Sequence, residues 1–421
     1  MLGMPCPRTC EKRMRGAGSC GFFYGLDPGR PWHNSCSKLK LRQGFGLRTE
    51  RAPPEVMRIS IIIPVYNNTR DLPECLSAVK ASVKNCDIEI IVVDDASTDE
   101  TPAVAASMGV RVLKLERNSG PGAARNFGAH HALGDILFFV DADVVLAPDA
   151  LDRAVKILDT RPELAAVFGS YDARPRAHGL VSQYRNLLHH FVHQQGNPEA
   201  STFWAGCGAI RREIFLAVGG FDAKRFPRPS IEDIELGVRL RGGGHRILLD
   251  REIQGTHLKR WKLGAVIRTD ITCRAIPWSR LILNSREAPN DLNLKRSQRV
   301  SVALVVLAAA LLPLALWRVG LLVLPLAALL TAVVLNRGLF AFLGRQRGLG
   351  FATACVPLHL LYFLYSGLSF LFVRVEMQLR RMMTRRGGSF GGVDDSGGSN
   401  REAGGCDRRR PGGAHGGVRA N

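Results

Sequence analysis

The sequence predicts an α/β domain, a mostly parallel sheet with helices on its faces, followed by apolar helices. Three observations carry this. From Arg58 onward, short apolar runs alternate with stretches of helical periodicity. Acid- and glycine-rich turns fall where strands would end. Between residues 300 and 373 charged side chains nearly vanish.

Strands are expected at 59–63, 88–93, 110–115, 136–140 and 165–168, each rich in the β-branched or aromatic residues that fit a buried sheet. Helices are expected between them at 72–83, 101–108, 123–133 and 149–159. Past Tyr171 the alternation weakens into a helical stretch at 181–194, a glycine-rich turn at 206–208 and a helix at 231–241. A basic segment, 259–299, leads to three apolar stretches, 300–316, 319–335 and 349–373, of which the first two are near the lower limit for crossing hydrocarbon. Cations before the first stretch, between the second and third, and after the third all favour the cytoplasmic side. Three full spans cannot satisfy that, so one segment is re-entrant or the tail is translocated. Trp278 and Trp317 flank apolar residues as interfacial anchors.

The 421 residues divide into an N-terminal extension (1–57), a folded domain (58–262), a basic juxtamembrane segment (263–299), a transmembrane region (300–373) and a basic, glycine-rich disordered tail (374–421). Met57, directly before the first strand, is an expected translation start. Charge placement sorts the partners. Of the net +20, residues 1–58 hold +7, 259–299 hold +7 and 374–421 hold +5, leaving +1 for everything else. A nearly neutral domain with cationic margins beside apolar helices excludes nucleic acid as the partner and points to anionic lipid. Ten cysteines without a Cys-x-x-Cys pair exclude a disulfide scaffold and indicate a reducing compartment.

Five clusters carry chemistry. Pro64-Val65-Tyr66-Asn67 and Asp94-Asp95-Ala96-Ser97 follow the first two strands, where acids can accept hydrogen bonds from a base or ribose, or cap the next helix. Gly120-Pro121-Gly122 opens a helix whose N-terminus and Arg125 suit a diphosphate. Asp141-Ala142-Asp143 places two carboxylates straight after a buried strand, a costly arrangement that a hard divalent cation would neutralise. Ser230-Ile231-Glu232-Asp233 reads as a capping box or as an acid pair at a helix start. His257-Leu258-Lys259-Arg260-Trp261 offers a metal ligand, two cations and a stacking surface, or a plain basic stripe. His189, His190 and His193 share a helix without a nearby acid and are assigned to its surface or to an acceptor side.

Taken in order, these motifs resemble the family 2 glycosyltransferases of GT-A fold over residues 58–262. The resemblance implies that Pro64 and Tyr66 line a nucleoside pocket, that Asp95 holds the base with Asp94 beside it, and that Asp141 contacts the ribose or sugar. It implies Asp143 as the metal ligand, Asp233 as general base, and His257 as a further ligand of a divalent metal, Mn²⁺ or Mg²⁺. Arg125, Arg260 and Trp261 complete the nucleotide-sugar site, with Arg260 or Lys259 at the leaving diphosphate. The implied activity is inverting transfer of one hexose or N-acetylhexosamine from a nucleotide-sugar to a hydroxyl or phosphate, with a lipid or glycolipid acceptor, on the cytoplasmic face of the cell membrane. Processive relatives carry Gln-x-x-Arg-Trp where this chain has His257-x-x-Arg260-Trp261, which favours single transfer over polysaccharide synthesis. A binding protein without turnover is a further alternative. A nicotinamide Rossmann enzyme is disfavoured because Gly-x-Gly-x-x-Gly is missing after the first strand.

Overall fold

The computed structural model describes residues 58–82, 87–284, 292 and 295–387. The N-terminal extension 1–57, residue 83 of the first expected helix and the tail beyond 387 lie outside the described residues. Strands β1 (Arg58–Val65), β2 (Asp87–Asp94) and β3 (Arg111–Lys114) pair in parallel, joined by α1 (Leu72–Ala81) and α2 (Thr101–Ser107). Helix α3 (Pro121–His131) leads to β4 (Ile136–Val140), parallel to β1. Then come β5 (Val144–Leu146), α4 (Ala150–Thr160), β6 (Leu164–Tyr171), α5 (Leu180–Gln194), β7 (Cys207–Arg211), α6 (Arg212–Ala217), α7 (Glu232–Gly242) and β8 (Arg246–His257). The eight-stranded sheet has the order β3-β2-β1-β4-β7-β6-β8-β5.

The sheet is mostly parallel, as expected, with two reversed strands that make it mixed. β7 runs antiparallel to both β4 and β6, and β5 runs antiparallel to β8. The expected glycine-rich turn at 206–208 is where β7 begins: a Cβ on Gly208 would stand 2.5 Å from the Trp204 carbonyl, so glycine is there for close approach within a strand.

Alternation along β4 splits the core into two layers. Phe138 faces the layer holding Ile61, Leu76 and Leu151, and Phe139 faces the opposite one with Phe215 and Phe221. With both faces covered, the central strands are buried nearly throughout, and their polar groups converge only past their carboxyl ends.

The basic segment after β8 is helical: α8 (Leu263–Thr269), a π-helical turn (Asp270–Ala275) and α9 (Ile276–Asn284) follow one another directly. Next come α10 (Arg296–Trp317), a 3₁₀ turn (Val319–Leu322), α11 (Val323–Leu335), α12 (Arg337–Arg347) and α13 (Leu349–Gly387). Two of these helices, Arg296–Trp317 and Leu349–Met383, are long and apolar enough to cross a membrane. Val319–Leu335 and Arg337–Arg347 reach that length only as a pair bent by 63°, the shape of a broken span or a re-entrant loop. Asn336 marks the bend. Its Nδ2 donates to Ser301 Oγ (2.9 Å) and the Ala332 carbonyl (2.8 Å), and its Oδ1 accepts from Gln298 Nε2 (2.9 Å). Leu339 and Leu343 of α12 then pack on Tyr184, Leu187 and Leu188 of α5.

Candidate active site

Residues past the strand ends line one cavity of about 660 Å³. At one rim the loops after β1 and β2 clasp each other. The Asn67 amide N–H donates to Ser97 Oγ (2.9 Å), and Asn67 Oδ1 accepts from the Thr98 N–H (2.8 Å). Both loops use a left-handed residue without being glycine, Asn67 at φ 49° and Ala96 at φ 60°. Pro64 and the half-exposed Tyr66 line the cavity beside Asp95.

Asp94 is buried beneath this loop. Its Oδ1 accepts from the Ser97 N–H (3.1 Å), and Oδ2 has no partner among the described residues. Asp95 caps neither its own loop nor the following helix. Its two oxygens accept from the N–H groups of Ser119 (2.7 Å) and Gly120 (2.8 Å), fixing the loop that opens α3. Burial, helped by the Asp94 charge, raises its pKa despite these two donors. Gly120 is required at that contact: it sits at φ +87°, and a Cβ would stand 2.6 Å from the Pro227 carbonyl.

Arg125, expected at a diphosphate, is engaged elsewhere. Its guanidinium is buried and bridges Asp141 Oδ1 (2.6 Å) and Glu232 Oε1 (3.2 Å), while its face lies 5.5 Å from the Phe221 ring. Glu232 Oε2 in turn accepts from the Ser230 N–H (2.9 Å). The acids therefore carry an internal counter-ion. Replacing one partner of such a buried network strands the remaining charges, so Arg125→Gln should cost about 3–5 kcal/mol, read from denaturant unfolding.

Asp233 lies in the first turn of α7, at the cavity floor. Its Oδ1 accepts from the Ile234 N–H (2.8 Å) and Oδ2 from the Ala205 N–H (3.2 Å). Its deep setting, reinforced by the Glu232 charge and opposed by Arg125, raises its pKa to about 7. The capping box does not form. Ser230 Oγ instead donates to the Cys273 carbonyl (2.8 Å) in the π-helical turn, which ties the start of α7 to the juxtamembrane helices.

Asp143 and His257 face each other across β5 and β8, whose register pairs Val144 with His257. Asp143 Oδ2 and His257 Nε2 are 3.4 Å apart, and the imidazole stacks on Tyr171 at 4.4 Å between centroids. With Asn186 Oδ1 accepting from Nδ1 (2.7 Å), Nε2 is aimed at the carboxylate, a contact that calls for a proton or a cation between the two atoms. Burial would raise the Asp143 pKa, but His257 and Lys259 outweigh it and hold it low. One carboxylate and one imidazole suit Mn²⁺, with Mg²⁺ possible and the remaining positions left to water and phosphate oxygens. Among the described residues no group of three or more His, Cys, Asp or Glu side chains converges on a metal position, so the protein offers a pair rather than a closed cage.

Of the two cations after His257, Lys259 lines the cavity with its Nζ 4.7 Å from the Trp261 ring. Arg260, expected at the diphosphate, is exposed and is not part of the lining. His189 and His193, expected on the surface or an acceptor side, are cavity residues whose rings lie tilted to each other at 4.0 Å, with Trp204 against both. Burial, with the His193 and Arg185 charges, lowers the His189 pKa. Trp278 also lines the cavity instead of standing only as an interfacial anchor. The expectations above do not include Arg185, Asn186, Trp204 or Arg274, which complete the lining and come from α5, the loop before β7 and the π-helical turn.

A buried sheet with its acids gathered past the strand ends is an α/β ligand-binding architecture, and known proteins narrow the class. Residues 60–219 match the profile of glycosyl transferase family 2. An uncharacterized glycosyltransferase of Haemophilus influenzae is 26% identical over 194 residues, 43% of this chain and 61% of the relative. A dolichol-phosphate mannosyltransferase of Pyrococcus furiosus is 27% identical over 207 residues, 48% of this chain and 54% of the relative. The chain thus spans less than two thirds of either relative. Among solved structures, a mannosyltransferase from Pyrobaculum calidifontis in complex with GDP-Man and Mn²⁺ superposes with a TM-score of 0.51 at 20% identity, covering 76% of this chain and 90% of that one. Residues 60–219 thus match the family 2 glycosyltransferase profile, and the chain shares the fold of that mannosyltransferase.

Proposed function

We propose that the chain is an inverting glycosyltransferase that moves a single sugar from a nucleotide-sugar donor to a lipid-linked acceptor at the membrane surface. One observation carries the reading. A single cavity joins Asp143 and Asp233 to Arg274 and Trp278, which stand on the helical segment packed against α13, a candidate span. The dolichol-phosphate mannosyltransferase relative supports the lipid-linked acceptor, and the GDP-Man and Mn²⁺ of the structural neighbour support the donor and cation classes.

The nucleoside lies between Pro64, Tyr66 and the Asp94–Asp95 loop, and Asp141 meets its ribose or sugar. Asp143 and His257 hold a divalent cation, which when bound supplies charge stabilisation for the departing diphosphate. Lys259 adds a cation and Trp261 a face to the same end of the cavity. Asp233 takes the proton of the acceptor hydroxyl as that oxygen attacks the anomeric carbon from the side opposite the diphosphate. The cations at the start of α10 and along α12 support a catalytic domain on the cytoplasmic side of the cell membrane. Membranes holding the chain, incubated with a panel of labelled sugar nucleotides, should transfer label to the organic-extractable fraction. Label confined to water-soluble product overturns the lipid acceptor.

A further inference from the structure

Asp270, in the first turn of the π-helical segment, is only 2% exposed, and three side chains from three elements converge on it. Arg185 of α5 (2.8 Å) and Arg274 (2.7 Å) both donate to Oδ1, and the Tyr365 hydroxyl of α13 donates to Oδ2 (2.6 Å). One carboxylate faces two guanidiniums, which leaves a net positive charge. Each guanidinium places one nitrogen on Asp270, and both arginines line the cavity. Arg274 also lies over Trp261, 5.9 Å from the ring centroid, with Lys259 at 4.7 Å. A planar fork with donors to spare, fixed from behind by a buried acid, is the arrangement that binds phosphate oxygens.

We propose that Arg185 and Arg274 form an anion subsite at the juxtamembrane end of the cavity, held in place from the candidate span by Asp270 and Tyr365, and that it takes the phosphate of a phosphate-bearing lipid acceptor. The hydrogen bond from Ser230 Oγ to the Cys273 carbonyl sets the geometry: Asp233 follows one partner by three residues, and Arg274 is adjacent to the other. The phosphate is therefore anchored in the same cavity that holds the base, and the acceptor is a lipid-linked molecule with both a phosphate and a hydroxyl. Tyr365 is a positioning residue, because it reaches the arginines only through Asp270.

This inference rests on the transferase reading, and the test separates the two. The full chain in detergent micelles is titrated with farnesyl phosphate, with farnesol and, at the donor end, with nucleoside diphosphate plus Mn²⁺. The wild type should prefer farnesyl phosphate over farnesol by about tenfold or more, the scale of one or two charge-assisted hydrogen bonds. Arg185→Gln and Arg274→Gln should each remove most of that preference, Tyr365→Phe should reduce it in part, and Arg185→Lys should retain some, with nucleoside diphosphate affinity unchanged in the Arg185 and Tyr365 variants. Inorganic phosphate should not displace farnesyl phosphate at equal concentration; equal affinity would overturn the lipid assignment. A wild type that binds both farnesyl compounds equally, or glutamine variants that keep the full preference, overturns the subsite. Loss of nucleoside diphosphate binding in the wild type overturns the transferase reading instead.

Discussion

Asp233→Asn should lower kcat by about 10²–10⁴-fold while leaving donor affinity within about threefold of wild type, because the asparagine keeps the shape of the cavity floor but cannot take a proton. The backbone donors Ala205 and Ile234 hold the side chain in place, so an asparagine oxygen can still accept one of their hydrogen bonds. The pH profile provides a second readout. The base works only when ionised, and burial with the Glu232 charge has raised its pKa to about 7. In the wild type, kcat/KM should therefore fall about tenfold per unit as pH drops below 7 and level off above it. The variant should lose that limb. Wild-type turnover in Asp233→Asn, or a profile flat from pH 5 to 8, assigns the proton to another group.

Asp143→Ala should abolish the divalent-dependent part of donor binding. In calorimetric titrations, the wild type should bind a nucleoside diphosphate more tightly with Mn²⁺ than with a chelator present, and the variant should show the same weak affinity in both. His257 alone is one neutral ligand, and hard cations need carboxylate oxygen, so the remaining imidazole cannot compensate. Equal affinity for the wild type with and without Mn²⁺ would remove the cation from the reading. The fold should tolerate this substitution better than Arg125→Gln, since Asp143 is only partly buried and Lys259, one of its cationic neighbours, is exposed to water.

The elements that the sequence revealed share one trait. β4 is buried throughout, and β1 and β2 are buried along their later residues, so each carries a short apolar run, and the acids follow at or just past the strand ends. β7 and β8 lack that signature. β7 starts with Cys-Gly, where the second residue is small to let Trp204 approach, and in sequence that looks like a turn. β8 is interrupted by Asp250-Arg251-Glu252, at an irregularity where its pairing with β6 jumps from Leu249 to Gln254. At the site, Asp143, His257 and Asp233 were legible because each belongs to a local pattern. Arg185 and Arg274 were not, since they meet only through Asp270 and are 89 positions apart in the chain. His189 and His193 looked superficial because Trp204, which lies against them, arrives from a different segment.

Arg125 changes what the cation means to the protein. Because Asp141 and Glu232 already share a guanidinium supplied by the chain, the floor of the cavity is partly neutralised before any ion arrives. Folding can finish first and loading can follow, so the cation behaves as an exchangeable reagent that enters and leaves with the nucleotide, not as a rivet of the architecture. Release of the spent diphosphate can then carry the ion away and return the domain to a state that is already whole.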